Sequence, residues 1–383
     1  MSGGNSRAAI TCSVLLVLTL AAGCRPAASA PAEPAARPAA PAAASPPAPQ
    51  HAAASKPELP TAPLVDLAVG SVGISSWGPF FIAFHRGYFK EVGLNVDLIP
   101  LSQANEGLAP LSQGQLQAAT CPTSVACYNA LQRGAAVKLV AGISGAGKTE
   151  KSTGSNGLVV RKEVWDAGAI RTARDLLGRP VYVQGGPGGA PNLVIMRWLL
   201  RNDVDPRNVD WTSMPSTDLY LAMQNGAADV GFSSEPLLSA GVTRGSHALL
   251  ASGEELYPDV QMSTLAFWTG IDQMGPMVGE RFLVAYLRAV RAYLNAFEYG
   301  IDQDEIIDIM TKETAIKDPA VYRQMKYAWI DPNGVMKRAV LEADSELWRE
   351  QGLLPAAVDL GQVVDDRYRQ FALQYLGEYE PPH

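Results

Sequence analysis

From about residue 65 onward, short apolar runs with a period of two alternate with stretches in which apolar residues recur every three to four positions. The first pattern predicts strands at 65–69, 94–99, 117–120, 137–141, 157–160, 181–184, 209–213 and 230–232. The second predicts helices at 78–92, 104–112, 124–133, 172–177, 189–202, 217–225 and 236–243. Such alternation is the mark of α/β architecture with mainly parallel sheets. After about 264–269 the chain turns helical to its end, with segments near 279–299, 302–312, 319–329, 333–351 and 355–376. A folded part of about 320 residues exceeds what one hydrophobic core holds. Two α/β lobes with a cleft between them follow: 64–157 and 262–383 in the first, 158–261 in the second.

Before residue 64 the pattern is different. Arg7 precedes an almost wholly apolar stretch from Ala8 to Ala22, too short to span a bilayer of about 30 Å but right for the core of a signal peptide. It ends in Ala21-Ala22-Gly23-Cys24, small residues before a cysteine, which resembles a bacterial lipobox and implies cleavage over 1–23 and a lipid on Cys24. From Arg25 to about Pro63 the chain is mostly Ala, Pro and Ser. Such a stretch cannot bury a core, so 24–63 reads as an extended tether between lipid and folded body.

Composition narrows the function classes. The chain is 47% hydrophobic and 18% charged, with a net charge of -7 and no basic run, which argues against nucleic acid as a partner. Of four cysteines, Cys12 lies in the signal segment and Cys24 at the lipid site, leaving Cys121 and Cys127. Export permits a disulfide. Cys127, however, falls about a turn into a helix starting near Cys121, and a Cα separation beyond about 7 Å forbids the bond, so two buried thiols are expected.

The segment Ala83-Phe84-His85-Arg86-Gly87-Tyr88-Phe89-Lys90-Glu91-Val92-Gly93-Leu94-Asn95-Val96 fits the phrase A-x-x-x-G-Y-F-x-x-x-G-L-x-V. It resembles the first helix and second strand of the ABC-transporter substrate-binding proteins for nitrate, sulfonate, taurine and thiamine precursors (NMT1/THI5-like, SsuA-like). Four further phrases follow in that family's order. They are 111–119 (with Gln117 at a usually acidic position), 133–142, Asp175-Leu176-Leu177-Gly178-Arg179-Pro180-Val181, and 221–235. The C-terminal helices carry no such phrase. The resemblance implies a periplasmic-binding-protein type II fold, two lobes closing on a ligand like a hinge. It implies an extracytoplasmic, lipid-anchored, monomeric solute-binding protein that works with a transporter permease and is not an enzyme. The ligand would be a small organic molecule: a sulfonate, taurine, a nitrate-like anion or a pyrimidine or other aromatic heterocycle. No cofactor or metal is implied. The alternatives on the same fold are a thiamine-pyrimidine-synthase-like enzyme and a ligand-sensing subunit.

In open α/β sheets, ligands sit beyond the carboxyl ends of the strands, where helix N-termini point. Four loops qualify. The first offers Ser75, Ser76 and Trp77, hydroxyls and a ring for stacking; the second offers Thr123 and Ser124, which also suit a helix cap. The third is glycine-rich, with Gly186, Gly188 and Gly189 allowing close backbone approach. The fourth offers Ser233 and Glu235, the carboxylate favouring a cation or donor on the ligand. Ser144, at a strand end, is a further candidate. None of these loops carries a convincing Arg or Lys.

Gly142-Ile143-Ser144-Gly145-Ala146-Gly147-Lys148-Thr149 matches G-x-x-x-x-G-K-T, but a working phosphate loop must open a helix, and the polar stretch after it leads at once into a strand. His51 and His383 lie outside the folded part, and His85 and His247 read as structural. No G-x-S-x-G or H-E-x-x-H occurs. No catalytic residue is assigned.

Overall fold

The computed structural model describes residues 58–382. Cys24 and the signal segment lie outside the described residues, as does the tether up to Pro57. The strands are β1 (Val65–Ser71), β2 (Leu94–Pro100), β3 (Ala118–Pro122), β4 (Val137–Gly145), β5 (Asn156–Arg161), β6 (Pro180–Val183), β7 (Asp210–Ser213), β8 (Val230–Ser234), β9 (His247–Ser252) and β10 (Gln261–Trp268). They form two five-stranded sheets, ordered β2-β1-β3-β10-β4 and β7-β6-β8-β5-β9.

The sheets are mixed, which corrects the expectation of mainly parallel pairing. β1 pairs parallel with β2 and β3, and β6 with β7 and β8. β10 runs antiparallel to both its neighbours, and so does β5. These two are the strands by which the chain enters each sheet from the other, and a strand arriving from the opposite side runs the opposite way.

The helices mostly fall where periodicity places them, with instructive exceptions. The predicted helix over 78–92 breaks into Gly78–His85 and Tyr88–Glu91 because Gly87 is left-handed, at φ 71°. Lys162–Asp166 was not legible: it is a single turn with no buried residue. The predicted helix over 319–329 stops at Gln324. Beyond it, backbone carbonyls of Trp329 and Gly334 accept from the N–H groups of Gly145 and Gly142 (2.9 and 3.1 Å), covering the exposed edge of β4. Helix resumes at Arg338–Glu350 and closes with Leu360–Val363 and Arg367–Leu376.

The central packing element is the helix Val278–Tyr299, fifteen of whose residues are buried against the helices Gly78–His85 and Arg367–Leu376. Within it Arg281 is buried and donates through Nη1 to the carbonyls of Pro60, Val92 and Gly93. Gly93 must be glycine here. Its φ is 74°, and a Cβ would stand 2.7 Å from Arg281 Nη1.

Cys121 and Cys127 form a disulfide, with Cα atoms 5.8 Å apart, correcting the expectation of two thiols. Pro122 ends β3, Ser124 caps the helix Val125–Gln132 through Cys127 N–H, and this tight turn brings the first helical turn back over the strand end. Peptide mapping without reductant is expected to recover the two cysteines in one linked fragment. Closing so short a loop stabilises by about 2 kcal/mol, which a urea titration of the Cys121→Ser/Cys127→Ser protein would register.

Candidate functional site

One cavity lies where both sheets present their strand ends, with about 680 Å³ of empty space counting its open mouth. Five of the strands that reach it, β1, β3, β4, β6 and β8, do so at their carboxyl ends or in the residues just after them. The antiparallel β5 and β10 reach the same place near their amino ends, through Asn156, Met262 and Ser263. Both halves of the molecule thus converge on one space.

Its apolar wall includes Trp77, Phe232 and Met262, and its polar side chains are hydroxyls and amides. No Asp, Glu, Lys, Arg, His or Cys is among the lining residues. Thr120 is 2% exposed and its Oγ1 has no partner among the described residues. A buried hydroxyl left so costs about 1–3 kcal/mol, which a bound molecule would offset. Asn156 Oδ1 is likewise buried without a partner.

The predicted site residues divide between this cavity and its supporting shell. Ser76, Trp77 and Ser144 line it. Trp77 also packs on Phe80 at a centroid distance of 5.1 Å, so it serves the core as well as the cavity. Ser144 adopts φ 42°, uncommon for a residue with a Cβ and a local strain at the end of β4.

The other candidates do not line it. Thr123 Oγ1 donates to the Met262 carbonyl, and Ser124 Oγ gives its proton to Asn105 Oδ1. Ser75 N–H donates to the Glu235 carbonyl. Gly186, Gly188 and Gly189 have their N–H groups engaged by Val183 O, Asn192 Oδ1 and Gly186 O. The loop is therefore a tightly bonded turn with no free amides to offer, and Gly188 O accepts from Val125 N–H on the other half of the molecule. Ser233 pairs across the sheet with Gly157.

Glu235 is fully buried, held by Ser239 N–H at 2.9 Å and Ser239 Oγ at 2.6 Å. Burial pushes its carboxyl up to about 7, against the opposing pull of those hydrogen bonds and of Lys326. Its carboxylate faces a separate groove with Ser239, Gln324 and Lys326.

Gln103, Asn105, Thr120, Asn156 and Gln184 were not foreseen. The strand-end rule that selected four loops also covers 101–105, after β2, but amides there give no sequence signal of their own.

The G-x-x-x-x-G-K-T segment is no phosphate cradle. The N–H groups of Lys148 and Thr149 both donate to Ser152 Oγ at 3.0 Å, Thr149 Oγ1 bonds Glu298, and the chain turns into β5 instead of a helix. Among the described residues no cluster of three or more His, Cys, Asp or Glu could hold a metal ion, and no helix is long and apolar enough to cross a membrane.

The two mixed sheets joined by crossing strands, with a cavity at their shared strand ends, define a periplasmic-binding-protein type II fold. The chain belongs to the NMT1-like family, whose sequence profile matches residues 61–298. No curated protein matches it. Among solved structures it is similar to the alkanesulfonate-binding protein SsuA from Xanthomonas axonopodis pv. citri bound to MOPS, with 18% identity, a TM-score of 0.65 and coverage of 81% of this chain and 100% of that one. The periplasmic nitrate-binding protein NrtA from Synechocystis PCC 6803 gives 15% identity and a TM-score of 0.67, over 82% and 89% of the two chains. A DszB mutant in complex with biphenyl-2-sulfinic acid gives 14% identity and a TM-score of 0.54, over 81% and 99%.

Proposed function

We propose that this chain is the extracytoplasmic solute-binding component of an ABC importer, taking a small organic molecule into the cavity between its two sheets. The observation that carries this reading is the cavity itself: one space, lined from both halves of the molecule, with polar groups but no ionisable one. A set of hydroxyls and amides holds a ligand; general acid–base or nucleophilic chemistry needs a titratable group within reach. The NMT1-like family and the similarity to sulfonate- and nitrate-binding proteins point the same way. The Cys121–Cys127 disulfide suits an oxidising compartment, and the signal-like segment with Cys24 suits export and lipid anchoring. The two halves, 64–157 with 262–383 and 158–261, move as lobes about the strands that cross between them.

Native mass spectrometry of the purified full chain, followed by calorimetric titration of any molecule it carries, tests this. The expected result is saturable one-to-one binding without turnover, with about 2.7 kcal/mol of added stability at a hundred times the Kd. Trp77→Ala should lose most of that added stability. Conversion of the molecule to a product, or no saturable ligand at all, overturns the reading.

A further inference from the structure

The cavity wall holds three side-chain amides whose oxygens are already engaged. Gly185 N–H donates to Gln103 Oε1 at 2.7 Å, and because a backbone N–H can only donate, the amide's orientation is set. Ser124 Oγ accepts from Cys127 N–H and passes its own proton to Asn105 Oδ1 at 2.9 Å. Ser216 Oγ donates to Gln184 Oε1 at 3.2 Å. Among the described residues none of the three amide nitrogens has a protein partner. Each amide therefore shows the cavity its N–H₂ face, and each N–H₂ carries two donors. Gln103 and Asn105 stand after β2 on one sheet, and Gln184 follows β6 on the other, so the donors face the space from both halves.

Nothing balances them with negative charge, since no carboxylate lines the cavity. The N-terminus of the helix Ala190–Arg201, whose Ala190 and Pro191 also line the space, adds to the same polarity; the unpartnered Thr120 hydroxyl can donate or accept, and Asn156 Oδ1 is the one lining amide oxygen left without a partner among the described residues. A ligand's acceptor atoms would be met on several sides. An ammonium group would face N–H donors and a helix dipole of the wrong sign, with no anion to replace its water.

Resting on the solute-capture reading above, we propose that Gln103, Asn105 and Gln184 form an acceptor-reading triad, and that the solute has a hydrogen-bond-accepting head (sulfonate, carboxylate or carboxamide) and no ammonium group. The triad sets specificity by geometry: the Gly185 N–H can only donate, so it keeps the Gln103 oxygen on itself and the N–H₂ turned to the space, while the Ser124 and Ser216 hydroxyls hold the oxygens of Asn105 and Gln184 as donors. A bound acceptor head would also bridge the two halves through Gln103 and Gln184.

Two matched pairs test this on the full chain by calorimetric titration: ethanesulfonate against taurine, which differ by an ammonium group, and benzamide against benzylamine. The acceptor member is expected to bind more tightly in each pair, by about 10-fold or more. Gln184→Glu and Gln103→Glu keep the held oxygen and replace the free N–H₂ by a second carboxylate oxygen. Either should weaken the acceptor probes by about 10- to 100-fold and improve benzylamine, at an unchanged apo melting temperature. Taurine or benzylamine binding as well as its partner overturns the proposal, as does an unchanged acceptor affinity in both variants or no binding of any probe. If a co-purifying solute binds saturably but carries an ammonium group, the triad falls and solute capture stands. If no solute of any kind binds, both fall.

Discussion

At pH 8 the Glu235→Gln protein is expected to resist urea better than the wild type by roughly 3 kcal/mol, and at pH 4.5 the two should coincide. Glu235 is fully buried, and burial raises its carboxyl to about 7, well above the ordinary glutamate value of 4.5. Between those limits the folded protein holds a proton that the unfolded chain has released. Stability from this group is therefore fully present below about 4.5 and declines by about 1.4 kcal/mol per pH unit as the pH rises toward 7. Above that the carboxylate is charged in both states, and the loss is constant. Lys326 is the cation facing it, and its pull already acts against the shift. Glutamine stays neutral, keeps its oxygen on Ser239 N–H and offers its N–H₂ to Ser239 Oγ, which can turn to accept. Parallel urea midpoints for the two proteins from pH 4 to pH 9 would show that Glu235 is not the titrating group.

Asp344→Ala should destabilise the protein by about 3 kcal/mol, the lower end of the range for breaking a buried pair. The Asp344 side chain is 0% exposed. Its Oδ1 accepts from Arg197 Nε and Nη2 at 3.0 and 2.7 Å and from Tyr257 Oη at 2.9 Å. Removing it strands a tyrosine hydroxyl and a guanidinium that is only a quarter exposed, and that partial exposure is why the lower end applies. Asp344 sits on the helix Arg338–Glu350 and Arg197 on Ala190–Arg201, the helix whose start lines the cavity. The pair thus ties the C-terminal helices to the second half. Desolvation raises the Asp344 carboxyl, with Arg197 and Tyr257 opposing. Asp344→Asn, which keeps an acceptor for Tyr257 and Arg197, should cost less than half as much in the same urea titration. Equal losses in the two variants would show that charge, not hydrogen bonding, holds the helices together.

Local pattern carried much of this molecule. Period-two runs mark the strands from β1 to β8 because alternate side chains meet a core, and that requirement acts over a few residues. The phrase from Ala83 to Val96 placed the family, and the strand-end rule pointed to Ser76, Trp77 and Ser144, which line the cavity. Other features needed the folded chain. The direction of β5 and β10 depends on which sheet the chain has just left. The backbone course of 325–337 is set by an edge strand nearly two hundred residues earlier, and the disulfide by how sharply the chain turns at Pro122. The glycine loop looked open to a ligand, and its amides became engaged only once Asn192 and Gly186 came within reach. Gln103, Asn105 and Gln184 are ordinary polar residues in the sequence. They become donors because Gly185, Ser124 and Ser216 hold their oxygens, and each of those holders lies more than fifteen positions away along the chain. Periodicity reports what each residue must bury; which atom it has left to offer depends on neighbours that only the tertiary fold supplies.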